Sequence, residues 1–250
     1  MIWIRRGLSL VALLLITCSG AFGGDYTDPS GFAFTYPEDW VPLTHSAMSE
    51  VNQALPQEVK NWIANNNVDL SRVAVVLVRN GQEEFLENIN VVVQEKQIPV
   101  NDEAVKRLTE SLPKQFESMG VRLDKVQGRV QKIGSRDAVV LDYQSRMPGV
   151  AFLLRQRQVF FPGGGNTYIV TCSATVDSFD QHLPTFEKIL ANFQGPAPVA
   201  SGFDWSRVMT TGVAAGIVGG LVGGLTVARK KKSSSLAKPE RQGDTPLGEV

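Results

Sequence analysis

Four segments in the first hundred residues show the patterns of β-strands. In residues 31–36 and 40–43, large apolar residues alternate with small or polar ones, and in residues 73–79 and 89–95 β-branched residues dominate. Both patterns predict strands. Between the second and third of these strands, residues 48–65 carry apolar side chains at helical spacing, which predicts a helix.

The second half of the chain predicts one strong helix followed by a run of hairpins. Apolar residues over 104–119 recur every three or four positions, Asn101 or Asp102 can cap the start of this helix, and Gly120 can end it. Short turns rich in Gly and Pro then separate four strands, and an amphipathic helix closes the region. The strands cover residues 121–133, 138–146, 151–161 and 167–175, and the helix covers residues 179–193. Because turns this short cannot make crossovers, we expect an antiparallel sheet and an α+β fold.

The C-terminal part contains a long uncharged stretch. Residues 208–228 are 21 residues without a charged side chain. Four basic residues follow it, namely Arg229, Lys230, Lys231 and Lys232. As a helix the stretch would be about 31 Å long, which matches the hydrocarbon thickness of a bilayer, and the basic residues are typical of a stop-transfer sequence with its positive side in the cytoplasm. We expect one transmembrane helix over 207–228 and a disordered basic cytoplasmic tail over 229–250.

The N-terminus has the pattern of a secretory signal peptide. Two arginines precede an apolar core over residues 8–16, and residues 21–23 form a small-x-small site. We expect residues 1–23 to be removed by ordinary cleavage. Lipidation at Cys18, twin-arginine export and retention as an uncleaved anchor are the alternatives. Together with the C-terminal stretch, this pattern predicts a single-pass protein of the cytoplasmic (inner) membrane whose domain is exported.

The region between the two apolar segments is expected to be one exported domain over 24–194, joined to the membrane by a linker over 195–206. The domain is long enough to bury its own core, and no internal repeat divides it. Residues 25–206 carry 16 Lys and Arg against 22 Asp and Glu, a net charge of −6. This acidic balance disfavours nucleic acid as a partner.

The predicted membrane helix carries glycine at every fourth position. These glycines are Gly212, Gly216, Gly220 and Gly224, with Gly219 and Gly223 beside them. Spacing of four places them on one helix face, where another backbone can approach closely. We expect this face to support a homo-oligomer or to bind a partner transmembrane helix. The alternative is that small residues are simply common in membrane helices.

Two parts of the domain resemble a known family. Residues 31–37, Gly-Phe-Ala-Phe-Thr-Tyr-Pro, followed by Trp40, are similar to the opening motif of the PsbP family, which is named for an extrinsic subunit of photosystem II. Residues 167–174 and the apolar residues of 179–193 are similar to its closing strand and helix. The resemblance implies an antiparallel β-sheet covered by helices on both faces, in a small exported or membrane-anchored bacterial domain. A distant eukaryotic relative binds a small GTPase, so the resemblance implies a binding platform.

The sequence predicts no catalytic, cofactor or metal site. Cys172 with His45 or His182 would offer a thiol nucleophile and base, but Cys172 falls in an alternating strand, where a buried cysteine acts as a small apolar residue. No group of residues has the spacing of metal ligands. By strand parity, Asp137 and Asp142 point to opposite faces of the sheet and do not form a carboxylate pair. Glycines 163–165 precede a strand rather than a helix, which favours a hairpin turn over a phosphate loop.

These observations together favour a protein without catalytic activity. We expect a single-pass membrane protein that displays a binding or assembly module on the non-cytoplasmic side and binds an unknown protein partner. Two alternatives remain open at this stage. One is a hydrolase or other enzyme whose site is not recognisable in the sequence, and the other is an accessory protein of photosynthesis.

Overall fold

The computed structural model describes residues 22–44, 57–66, 68–81, 85–147, 150, 152–199 and 215–221. The strands in these ranges are β1 (Phe22–Thr27), β2 (Ala33–Pro37), β3 (Trp40–Thr44), β4 (Val73–Arg79), β5 (Asn88–Glu95), β6 (Arg122–Ile133), β7 (Arg136–Arg146), β8 (Leu154–Gly163) and β9 (Asn166–Thr175). The helices are α1 (Gln57–Asn65), α2 (Asp102–Ser118) and α3 (Phe179–Ala191), with a 3-10 turn at Leu70–Arg72. Residues 215–221 are also helical.

Strands β3 to β9 form one sheet of seven strands, in the order β3-β4-β5-β9-β8-β7-β6. Every neighbouring pair is antiparallel. The last four strands follow one another as hairpins, as the short turns predict, and β9 returns to the middle of the sheet beside β5. The α+β class expected from the sequence is therefore confirmed.

The turn between β8 and β9 is a tight hairpin. Gly163 and Asn166 pair across the two strands, which leaves Gly164 and Gly165 as the whole loop. Their φ angles of 58° and 85° lie in the left-handed region, where a residue with a Cβ is strained. Two such residues give a turn that matches the twist of the strands, so the predicted hairpin is confirmed.

Helix α2 begins and ends where its capping residues predict. The side chain of Asn101 accepts a hydrogen bond of 2.9 Å from the backbone N–H of Ala104, and Gly120 has a φ of 74° after the last turn. Four of its residues, one helical turn apart, are fully buried. They are Ala104, Leu108, Leu112 and Phe116. This face packs α2 across β6 and β7.

Both faces of the seven-stranded sheet are covered. One face, here called the α2 face, packs against α2 and the 215–221 helix. The other face, here called the α3 face, packs against α3 and the β1–β2 hairpin, with Phe32, Phe34 and Phe193 among its stacked aromatic rings. The arrangement agrees with the expected antiparallel sheet between helices.

Strand β1 begins inside the predicted signal peptide. Phe22 pairs with Pro37 of β2, and the β1 ladder continues to Thr27. Residues 1–21, including Cys18, lie outside the described part of the chain. Cleavage and lipidation of the N-terminus therefore stay predictions.

The predicted linker starts as part of the domain. Residues 194–199, here called the strap, lie along the end of the sheet near the β8–β9 turn. The guanidinium of Arg136 donates to the carbonyl oxygens of Gly195 at 2.6 Å, Pro196 at 3.1 Å and Pro162 at 2.6 Å. The charged donor of Arg136 therefore fixes the strap, although the strap contains no large apolar side chain that would be buried.

The predicted transmembrane helix is described only over residues 215–221. These residues are buried on the α2 face of the sheet. In the described ranges, no helix combines the length and the apolar character that crossing a bilayer requires. The remainder of 207–228 and the basic residues 229–232 lie outside those ranges, so membrane insertion stays a prediction.

A charged cluster ties β6, β7 and β8 together on the α3 face. Asp142 accepts from Arg157 Nε at 2.7 Å and from Arg129 Nη1 at 2.6 Å, and Arg157 also reaches Glu187 of α3 at 3.1 Å. Burial acts to raise the pKa of Asp142, but the hydrogen bonds from the two arginines outweigh it and hold that pKa below its ordinary value. The cluster therefore stabilises the ionised carboxylate.

We predict that Asp142→Asn lowers the free energy of unfolding by about 2 kcal/mol at neutral pH, because it leaves half-buried arginines without their counter-charge. Asp180→Asn is the matched control, since Asp180 is 75% exposed in its pair with Arg155 and should change stability by less than about 0.5 kcal/mol. A pKa lowered in the folded state gives stability that is present above the ordinary value of 3.8 and is lost as the pH falls below it. Urea denaturation at neutral pH and at about pH 3 measures both effects, and equal stability of the two variants at neutral pH would contradict the assignment.

Candidate functional site

The α2 face of the sheet carries a band of buried polar side chains. Nine polar residues of strands β5, β7, β8 and β9 are fully buried on this face, namely Asn88, Asn90, Gln94, Ser145, Gln156, Gln158, Thr167, Thr171 and Ser173. Burying polar groups is costly unless they are hydrogen-bonded, so a sealed sheet face is normally apolar. The band is the feature of this fold that packing alone does not explain.

The strand register aligns part of the band into a straight row. Asn88 of β5 lies opposite Ser173 of β9, Ser173 lies opposite Gln156 of β8, and Gln156 lies opposite Tyr143 of β7. A second row begins at Asn90, which lies opposite Thr171, and Thr171 lies opposite Gln158. Neighbouring strands are about 4.8 Å apart, so a row of four strands extends over about 14 Å.

The 215–221 helix lies directly over these rows. Gln156 donates from Nε2 to the carbonyl oxygen of Gly216 at 2.8 Å, and Asn88 donates from Nδ2 to the carbonyl oxygen of Gly219 at 2.8 Å. The apolar residues of the helix are almost fully buried, and they are Ala215, Ile217, Val218 and Leu221. We call this site the polar groove; its floor consists of Asn88, Asn90, Tyr143, Gln156 and Ser173. It binds the backbone of an apolar helix through side-chain amides.

The glycines of the helix set its distance from the floor. A Cβ placed on Gly216 would lie 2.7 Å from the Tyr143 hydroxyl oxygen, and one on Gly219 would overlap the hydroxyl of Ser173. A Cβ on Gly220 would likewise overlap the sulfur of Met147. Any larger residue at these positions must push the helix away from the sheet.

The sequence predicted that Gly212, Gly216, Gly220 and Gly224 form a face for close approach of another helix. In the described residues, Gly216 and Gly220 approach the α2 face of the chain's own domain, whereas Gly212 and Gly224 lie outside those residues. Association with a second transmembrane helix is not tested by this contact and stays a prediction.

Several polar atoms of the groove floor lack a hydrogen-bond partner among the described residues. They are both side-chain amide atoms of Asn90, Oδ1 of Asn88 and the hydroxyl of Tyr143. The amide nitrogen of Asn90 would lie 3.0 Å from a Cβ on Gly219, so it faces the helix. A polar group that is buried without a partner costs about 1–3 kcal/mol.

A cleft of about 680 Å³ lies at the other end of the sheet, beneath the strap. Its lining includes Gln97, Ser135, Arg136, Asp137 and Pro162. Burial lowers the pKa of Arg136, and its guanidinium is engaged by the carbonyls of the strap. The charge in this cleft therefore supports the fold.

The thiol considered as a nucleophile is not activated. Cys172 is fully buried on the α3 face, and burial is the main cause that raises the pKa of its thiol. His182 lies with Nε2 at 3.3 Å from the carboxylate of Glu87. His45 lies outside the described residues. A catalytic cysteine needs a lowered pKa and access to solvent, so this geometry does not favour thiol catalysis.

Glu87 forms the centre of a buried polar contact between β5 and the start of α3. Its carboxylate accepts from Arg79 Nε at 2.9 Å and from the Ser178 hydroxyl at 3.1 Å. A serine nucleophile donates its hydroxyl to a base that takes the proton during attack, which is usually an imidazole. Here the hydroxyl of Ser178 donates to the paired carboxylate, an arrangement that ties α3 to the sheet.

The two aspartates of β7 lie on opposite faces of the sheet. Asp137 lies opposite Lys132, while Asp142 lies opposite Arg157 and belongs to the cluster on the α3 face. Their separation by strand parity is confirmed. Within the described ranges, no three His, Cys, Asp or Glu side chains come together as a metal site requires.

Comparisons with known proteins concern the fold. The chain is similar to the solution structure of cyanobacterial PsbP (CyanoP) from Synechocystis sp. PCC 6803, with 15% identity, coverage of 69% of this chain and 91% of that one, and a TM-score of 0.46. It is also similar to LpqN of Mycobacterium tuberculosis, which is involved in cell envelope biogenesis, with 15% identity, the same coverages and a TM-score of 0.39. The Ran-binding protein Mog1p of Saccharomyces cerevisiae matches with 10% identity over 71% of this chain and 97% of that one, at a TM-score of 0.41.

No protein-family model matches the sequence, and the search of curated proteins gives no match. CyanoP is itself a PsbP protein, the family that residues 31–37 resemble. At these identities and TM-scores the likenesses assign no function to the chain.

The residues of the polar groove were not singled out from the sequence. A signal was nevertheless present in the first half of β8, where Gln156 and Gln158 alternate with Arg155 and Arg157, so that both faces of this segment carry polar side chains. Such a strand in the middle of a sheet indicates that both faces meet polar partners. The arginines pair with carboxylates on the α3 face, and Gln156 meets a helix backbone on the α2 face.

We predict that Cys172 does not react with iodoacetamide in the folded chain, because the buried thiol has a raised pKa and no access to solvent. Alkylation followed by peptide mass spectrometry measures this. The same chain unfolded in guanidinium is the control and should be labelled fully. Rapid labelling of the folded chain would instead show a reactive thiol and reopen the thiol-nucleophile hypothesis.

Proposed function

We propose that this chain is a non-catalytic binding or assembly module that is exported and anchored to the cytoplasmic membrane through residues 208–228. The observation that carries the binding role is the polar groove. There, Gln156 and Asn88 bind the backbone of an apolar helix, which is an interaction between surfaces and not a catalytic arrangement.

The anchoring role is supported by sequence. Residues 208–228 carry no charge and have the length of a membrane-spanning helix, and the four basic residues after them favour a cytoplasmic C-terminus. The acidic balance of residues 25–206 suits a domain that stands away from an anionic lipid surface.

The state of the ionisable groups supports a non-enzymatic role. Asp142 and Glu87 are paired with arginines, the thiol of Cys172 is buried, and Arg136 binds carbonyls of the strap. Catalytic acids, bases and nucleophiles are instead held in clefts where they can reach a substrate. These groups are engaged in contacts that stabilise the fold.

We predict that the full-length chain stays in the membrane pellet after washing with alkaline carbonate and enters solution only with detergent. The double variant Ile217→Lys, Leu221→Lys should lose this retention, because each charge at the centre of a membrane helix costs about 2.5–3.5 kcal/mol. The matched control Ile217→Leu, Leu221→Ile keeps the stretch apolar and should remain in the pellet. Fractionation followed by immunoblotting measures the distribution, and complete recovery of the unaltered chain without detergent would contradict the anchoring.

A further inference from the structure

We propose that the polar groove is a binding site for the glycine-faced apolar helix of the chain's own C-terminal stretch, and that this helix exchanges between the groove and a lipid bilayer. The exchange with lipid rests on the proposed membrane anchoring. The groove site itself does not, since it is defined by contacts within the domain.

The groove recognises a helix with small residues at its surface. A carbonyl oxygen in the interior of a helix accepts one backbone hydrogen bond and keeps a second lone pair for a further donor. The amides of Gln156 and Asn88 reach the carbonyls of Gly216 and Gly219 at 2.8 Å because glycine leaves no side chain in their way. The ligand class is therefore an apolar helix with glycines three and four residues apart.

The polar floor of the groove favours a helix that can leave it. Asn90 has no partner for its side-chain amide among the described residues, and the Tyr143 hydroxyl is also unpaired there. Water would satisfy both groups once the helix left, whereas a floor made only for permanent packing would be apolar. The unpaired polar atoms weaken the occupied state and favour release of the helix.

The polar groove and a lipid bilayer both remove the apolar side chains of the helix from water. In the groove, Ile217 and Val218 are at most 2% exposed. Lipid tails are as apolar as those contacts, so the helix loses little hydrophobic stabilisation when it moves from the groove into a bilayer. Without a bilayer nearby, leaving the groove would expose these side chains to water, which keeps the helix in place.

The position of the helix in the fold permits this movement. The 215–221 helix is not part of either sheet. The strap that precedes it ends at Val199, so residues 200–214 connect the strap to the helix. The helix can leave the groove without removing a strand from the seven-stranded sheet. The domain can therefore stay folded in both states.

A disulfide placed across the groove tests the site. A Cβ on Gly220 would overlap the sulfur of Met147, so the double variant Met147→Cys, Gly220→Cys brings two thiols together when the helix is bound. We expect an intramolecular disulfide in the full-length chain kept free of lipid, seen by non-reducing electrophoresis and peptide mass spectrometry. The single variants Met147→Cys and Gly220→Cys control for pairing with the native Cys18 or Cys172.

Two further substitutions test the recognition. In the double-cysteine chain, Gly219→Leu should lower the disulfide yield about tenfold by steric overlap with the floor, and Gln156→Leu should lower it by removing a donor to the helix backbone. Arg155→Gln is the matched control, because Arg155 lies next to Gln156 on β8 and pairs with Asp180 on the α3 face. It should leave the yield unchanged. Protection of Cys172 from alkylation reports that each variant has folded.

Addition of vesicles made of phosphatidylethanolamine and phosphatidylglycerol before oxidation tests the exchange. We expect the disulfide yield to fall as the chain becomes bound to the vesicles. An unchanged yield in chains that have bound the vesicles would overturn the exchange.

The remaining outcomes separate the two proposals. A folded chain that forms no disulfide within itself overturns the groove site, and a disulfide between two chains overturns it in favour of a second copy as the occupant. An unchanged yield in Gly219→Leu overturns the recognition of small residues. A chain that forms the disulfide but never enters the membrane fraction supports the groove site and overturns the anchoring.

Discussion

A sheet covered on both faces buries polar groups at a cost unless they are hydrogen-bonded, and this constraint shapes the α2 face. Strands β5, β9, β8 and β7 place amide and hydroxyl side chains in a row across the sheet, where no water is available to them. Part of the row is paired internally, since Ser145 donates to Gln156 and Gln156 donates to Ser173. Gln156 and Asn88 also donate to backbone carbonyls of the 215–221 helix. The closed state of this face therefore requires a helix whose carbonyls can be reached.

The α3 face of the same sheet is covered mainly by aromatic side chains and paired charges. Its aromatic rings stack around Phe193, and the carboxylate of Asp142 on this face is neutralised by Arg129 and Arg157. The partners in these contacts come from the sheet, from the β1–β2 hairpin, from α3 and from Phe193 just after it. The α3 face is complete in itself, whereas the α2 face is completed by a segment far along the chain. The α2 face is therefore better suited than the α3 face to a contact that can form and dissociate.

The sequence predicts strands β2 to β9 and helices α2 and α3 closely because their signals are local, but it does not predict β1, which begins inside the predicted signal peptide. Asn101 caps α2, Gly164 and Gly165 form a turn that residues with a Cβ enter with strain, and alternating residues mark the strands. The contacts that were missed are distant in sequence. The strap has the composition of a linker and is fixed by Arg136, about 60 residues before it. The glycines of 208–228 predict a face for close approach of another helix, whereas among the described residues Gly216 and Gly220 lie against side chains of the chain's own sheet. Their spacing does not distinguish a partner helix from a polar sheet.

The strap also sets the reach of the domain. Arg136 fixes the chain as far as Pro196, and Gln97 bonds to Val199, so only residues 200–207 separate the strap from the uncharged stretch that begins at residue 208. Eight residues extend over at most about 28 Å. If residues 208–228 insert into a bilayer, as proposed above, this length would hold the end of the sheet near Arg136 within about 28 Å of the lipid surface, and a partner bound at that end would also lie close to the membrane.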